Sequence, residues 1–110
     1  MNRGLKMAEL TRDELLVLLI EECGEVIQAA TKCLRFGFDV DHGTGYGNNA
    51  RALAKEVGEL TAVRDALDLE DTAIMRQAFM DGWAYKIERA EKAKDQYGVG
   101  VSAAGAPDAS

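Results

Sequence analysis

Glu21-Glu22-Cys23-Gly24-Glu25 lies inside a long apolar stretch, and Glu56-Val57-Gly58-Glu59 repeats its Glu-x-x-Glu spacing after an intervening loop. A carboxylate removed from water costs several kcal/mol unless a counter-charge or hydrogen bonds offset it. Four carboxylates converging without histidine make an all-oxygen donor set, which suits a hard divalent cation, Mg²⁺ or Mn²⁺. Such an ion points to phosphate chemistry, where it neutralises charge and activates water. Zinc and di-iron chemistry fit poorly, because His42 is the sole histidine and no Glu-x-x-His occurs.

Turning the first stretch as a helix, at roughly 100° per residue, shows where these acids must point. With Glu22 at the origin, Leu15, Leu18, Leu19, Val26, Ala29 and Cys33 fall within about 60° of it. Glu25 takes the edge of that apolar arc, while Glu14, Glu21, Gln28, Lys32 and Arg35 gather on the opposite side. In the second stretch Leu53, Leu60, Val63 and Leu67 surround Glu56, and Glu59 takes the edge position. Lys55, Lys32 and Arg51 point elsewhere on these wheels, so the expected counter-charge is a metal rather than a side chain.

The elements that would position the acids are helices. Thr11 and Glu14 form a capping box, with Leu10 and Leu15 as a hydrophobic staple, and the apolar stripe runs on to Leu34 with Gly37 as the stop. Residues 37–48 carry four of the eleven glycines and read as a loop. Asn48 or Asn49 caps a second helix over about 50–67. A third helix is expected over about 72–96, capped by Asp68 or Asp71. Its stripe is Met75, Phe79, Met80, Trp83, Ile87, Ala90 and Tyr97, and Gly98 ends it. No strand pattern and no solenoid repeat is found. The fold class is all-α, a bundle of three main helices. Residues 1–10 form a lead-in, 11–97 the helical domain, and 98–110 a small-residue tail expected to be disordered.

A chain of 110 residues with 47% hydrophobic and 29% charged residues suits one domain. Its net charge of -6 argues against nucleic-acid polymers and anionic membranes as partners. No stretch has the form of a signal peptide or a bilayer-spanning helix, so a cytoplasmic protein is expected. Cys23 and Cys33 lie about 15 Å apart on one helix, too far to pair, and read as small apolar residues. His42 reads as a solvated loop histidine. The run from Gly43 to Gly47 lacks the lysine and preceding strand of a phosphate loop, so it reads as a connector. Lys86, inside the third stripe, either snorkels or joins Arg89 in reaching phosphate oxygens. Phe79, Trp83 and Tyr85 read as core or subunit interface.

Glu21-Glu22-x-x-Glu25, then Glu56-x-x-Glu59, then Lys86 and Arg89, resembles the MazG-like family of all-α nucleoside triphosphate pyrophosphohydrolases. The string Glu-Glu-Cys-Gly-Glu-Val-Ile-Gln-Ala-Ala, with Lys32-Cys-Leu-Arg35-Phe-Gly37 after it, looks like the small single-domain members, and the likeness covers about residues 11–97. The family pattern ends its second pair in aspartate, where Glu59 stands here. The resemblance implies cleavage of a nucleoside triphosphate to monophosphate and pyrophosphate. It implies Mg²⁺, or alternatively Mn²⁺, on Glu22, Glu25, Glu56 and Glu59. Glu25 or Glu21 would then handle the attacking water, and Lys86 and Arg89 the departing pyrophosphate. Arg35, Phe36 and Asn49 become candidates for touching substrate. It also implies a homodimer or homotetramer, which the first helix's wide apolar arc, including Ile20 and Ile27, independently requires. The alternative is a catalytically silent helical module that binds a protein partner through that apolar face.

Overall fold

The computed structural model describes residues 7, 9–43, 45 and 47–97, with the side chains of 96 and 97 excluded. Most of the lead-in, Gly98 and the 98–110 tail lie outside the described residues. The protein is all-α, with helix α1 over Arg12–Phe36, α2 over Asn49–Leu67 and α3 over Ala73–Tyr97. Among the described residues there is no strand, only one isolated bridge between Asp41 and Asn48. No helix of the described residues is long and apolar enough to cross a membrane.

Local chemistry sets each boundary. At the start of α1 the Thr11 N–H donates to Glu14 Oε1 at 2.9 Å, and the Glu14 N–H donates to Thr11 Oγ1 at 3.1 Å. This reciprocal pair satisfies two of the donors a helix start leaves open. The helix stops at Gly37, whose φ of 102° few side chains tolerate and whose N–H donates to Cys33 O at 2.9 Å. Asn48 caps α2 by accepting the Arg51 N–H at 3.0 Å, and Asp68 ends it in the left-handed region at φ 59°. For α3 the cap is Thr72, whose hydroxyl accepts the Met75 N–H at 3.1 Å, rather than Asp68 or Asp71. Asp71 contributes its carbonyl, which accepts from Arg76.

The chain divides into two compact units, Met1–Asp68 and Leu69–Ser110. In the first, α1 and α2 pack face to face. Cys33 meets Asn49 at one end, Glu22 meets Glu56 and Glu59 further along, and Leu15 and Val63 are buried toward the other end. Residue numbers rise on one helix as they fall on the other, so the pair is an antiparallel hairpin. The contact face is the expected one: Leu15 is buried, and Leu18, Leu19, Glu22, Val26, Ala29 and Cys33 are half-buried. On α2 Val63 is buried, with Leu53, Glu56, Leu60 and Leu67 half-buried.

The connection between these helices is braced by Asn49, the one buried polar side chain among the described residues. Its Nδ2 donates to Gly37 O at 2.9 Å and to Lys32 O at 3.4 Å, tying the loop to the end of α1. The second unit holds α3. Met75 and Phe79 of its expected stripe are half-buried, while Met80, Trp83, Ile87 and Ala90 are exposed.

Candidate acidic site

Glu22 is carried inward by α1 because its neighbours at helical spacing, Leu15, Leu18, Leu19 and Val26, all face α2. Glu56 and Glu59 come from the facing side of α2. The hairpin brings one carboxylate oxygen of each of the three acids within 4.8 Å of the others. Two oxygens, Glu22 Oε1 and Glu56 Oε1, are buried without a hydrogen-bond partner. A buried polar atom left unpaired costs about 1–3 kcal/mol, and more when charged, so this pair is the hairpin's least satisfied point.

One basic side chain does reach the cluster, which corrects the expectation from the helical wheels. Lys55 Nζ lies 2.9 Å from Glu59 Oε2 and 3.5 Å from Glu56 Oε2. The wheel fixes where Cβ points, but four methylenes let the ammonium fold back along the helix to its i+4 partner. The consequence is a division of labour among the acids. Burial, reinforced by the charges of Glu59 and Glu56, raises the Glu22 carboxyl above its ordinary pKa, and Glu25 adds to the effect. The hydrogen bond from Lys55 lowers Glu59 against the opposing pull of burial. The two shifts run in opposite directions, Glu22 toward holding its proton and Glu59 toward releasing it.

Glu25 stands outside the three-acid group and lines a neighbouring cavity of about 150 Å³ between α1 and α2. Gln28, Ala29, Lys32, Asn49, Ala52 and Glu56 complete that lining. Glu56 therefore belongs to both places, with Lys32 supplying a positive group to the cavity. Glu21 is exposed on the far side of α1. Arg35 is exposed and lies over the Phe36 ring at 5.1 Å, and Phe36 meets His42 edge-on at 5.2 Å. Asn49 lines the cavity, but both of its amide donations go to backbone carbonyls.

Lys86 and Arg89 lie on α3, in the second unit, and both are exposed. Arg89 Nη1 donates to Tyr85 Oη at 3.0 Å and its guanidinium lies over that ring. The residue missed by sequence reasoning is Lys55, and its signal was present: a lysine four residues ahead of a glutamate on one helix.

Three carboxylates from two helices converge, two of their oxygens lack partners, and among the described residues no nitrogen or sulfur ligand joins them, an all-oxygen set of the type hard cations take. No protein-family model, characterised protein or solved structure matches this chain.

Proposed function

We propose that this chain is a Mg²⁺-dependent nucleoside triphosphate pyrophosphohydrolase of the MazG-like kind, cleaving its substrate to monophosphate and pyrophosphate. The observation that carries the reading is the pair of buried, partnerless oxygens on Glu22 and Glu56, two acids whose carboxylates converge with that of Glu59. Glu22, Glu56 and Glu59 would hold the ion, with Mn²⁺ as a substitute. When bound, the ion would neutralise phosphate charge and polarise the phosphorus under attack. Glu25, which lines the cavity that Glu56 also lines, would orient or deprotonate the attacking water. Glu21, exposed, is the weaker candidate for that task. The family resemblance alone assigns Lys86 and Arg89 to the departing pyrophosphate, and Arg35, Phe36 and Asn49 to substrate. We place the reaction in the cytoplasm, a setting that suits the free thiols of Cys23 and Cys33.

The test is pyrophosphate release from a panel of common and damaged nucleoside triphosphates, with Mg²⁺ and with a chelator. Release that needs the metal is expected for at least one substrate. If none is turned over and the melting temperature ignores millimolar Mg²⁺, the enzymatic reading is lost.

The cavity supports a homo-oligomer. At about 150 Å³ it is far smaller than the roughly 300–1,000 Å³ of small-molecule sites, so one hairpin does not enclose a nucleotide. Leu16, Ile20, Cys23, Ile27, Ala30 and Leu34 also alternate four and three residues apart along α1, the spacing of a helix-pairing seam. All six are exposed, Ile20 by 71% and Leu34 by 66%. Sedimentation at micromolar concentration should give a dimer or tetramer, and Ile27→Asp should shift it toward monomer. A wild-type monomer throughout that range removes this part of the proposal. The same exposed seam favours a second reading, a silent module that docks a helical partner. Under that reading Mg²⁺ changes neither the melting temperature nor any turnover.

A further inference from the structure

We infer that Lys55 is a resident cation of the acidic cluster, which holds Glu56 and Glu59 together in the metal-free protein and sets how tightly a divalent ion binds there. The inference rests on the metal-binding reading above and concerns its control. Lys55 Nζ bridges the Oε2 atoms of Glu59 and Glu56, at 2.9 and 3.5 Å. The same two residues, with Glu22, form the group whose oxygens lie within 4.8 Å of one another. An ion touching all three carboxylates therefore sits only a few ångströms from the ammonium, and the two positive charges repel.

The contact is also one the lysine can leave. Its side chain is 36% exposed, which gives the ammonium a path to water. The four-carbon stem carries that charge into solvent without stranding it. What remains behind is the inner face of the cluster, where Glu22 Oε1 and Glu56 Oε1 have no partner. A divalent ion, with twice the charge, competes for the carboxylates where a monovalent one does not. Lys55 thus acts as a threshold, keeping Glu56 and Glu59 together in the absence of metal and weakening the site toward dilute or singly charged ions.

Calorimetric titration of the full chain with MgCl₂ and MnCl₂ tests this, using wild type, Lys55→Met, Lys55→Gln and Lys55→Arg, with melting temperatures recorded in parallel. The two neutral variants are expected to bind either ion roughly tenfold or more tightly, as removal of a nearby unit charge requires. Their melting temperatures should also rise more on adding Mg²⁺ than that of wild type. Lys55→Arg keeps the charge and should stay within about threefold of wild type. Equal or weaker binding by both neutral variants, where wild type binds metal, overturns the role of Lys55 and leaves the metal reading standing. If no protein in the series binds either ion, the metal reading falls and this inference falls with it.

Discussion

Glu22→Gln is expected to release pyrophosphate about 10²–10³-fold more slowly than wild type, the range for removing one group that stabilises charge in a transition state. In the absence of metal at pH 7 the same variant is expected to melt at a higher temperature than wild type. The two effects have opposite signs because one side chain serves opposing ends. Burial, then Glu59 and Glu56, raise the pKa of Glu22, so its charged form is disfavoured in the folded state relative to the unfolded chain. Well below the ordinary glutamate value, Glu22 is protonated in both states and the substitution changes little. As pH rises past the ordinary glutamate value near 4.3, the unfolded chain gives up that proton first. From there the wild type loses stability relative to the glutamine variant, and the deficit is complete above the raised folded value. An amide has the same shape, carries no charge, and can donate to Glu56 or Glu59.

Adding Mg²⁺ should reverse the order. Wild type gains the binding free energy of the ion, about 2.7 kcal/mol at one hundred times its dissociation constant, and the variant gains far less. Thermal melts across pH 4–8, with and without metal, read both effects. A glutamine variant less stable than wild type at pH 7 without metal shows that Glu22 is a satisfied structural acid. Equal turnover by the two proteins removes Glu22 from the chemistry. Glu59 supplies the internal contrast. Its pKa is lowered, chiefly by Lys55, so its contribution is present above the ordinary value and is lost as pH falls through the folded one. The two acids therefore bend the pH–stability curve in opposite directions.

How much of this could be read from the sequence depends on how local the determining interaction was. The capping box of Thr11 and Glu14 and the stop at Gly37 are contacts within four residues, and both occur where the spacing places them. The inward turn of Glu22 and Glu56 was equally legible, because a helix fixes the direction of every Cβ once its apolar face is known. Lys55 was legible only in its i,i+4 spacing to Glu59 and not on the wheel, which leaves out the rotamers that place Nζ. Asn49 was read as a cap or a substrate contact. Its burial depends on carbonyls of Lys32 and Gly37, which the loop brings back by a path no periodicity encodes. On α3 the stripe was real but its partner was not legible. A 3.6-residue repeat says that a face is apolar, not what covers it, and Met80 and Trp83 remain 55% and 59% exposed.

Leu15→Ala should lower stability by about 2–5 kcal/mol, the range for emptying a buried leucine position, and the melting temperature by about 10 °C or more for a domain of this size. The large effect follows from how little of the hairpin is dry. Leu15 and Val63, exposed by 6% and 4%, are the buried hydrophobic side chains among the described residues. The rest of the face is half-buried, and its middle is occupied by the partnerless oxygens of Glu22 and Glu56. Those carboxylates oppose the packing that positions them, so the apolar end beyond Glu22 must hold α1 against α2. The cavity left by alanine and the partnerless carboxylate oxygens then act on the same helix pair, and an ion that satisfies those oxygens should offset part of the loss. Mg²⁺ at saturating excess is expected to restore several degrees to Leu15→Ala, while Leu15→Ala combined with Glu22→Gln should gain almost nothing from the metal. A Leu15→Ala protein that melts within about 3 °C of wild type would mean that the α1–α2 face is not what holds the hairpin together. Restoration of equal size in the double variant would mean that Mg²⁺ acts somewhere other than the acidic cluster.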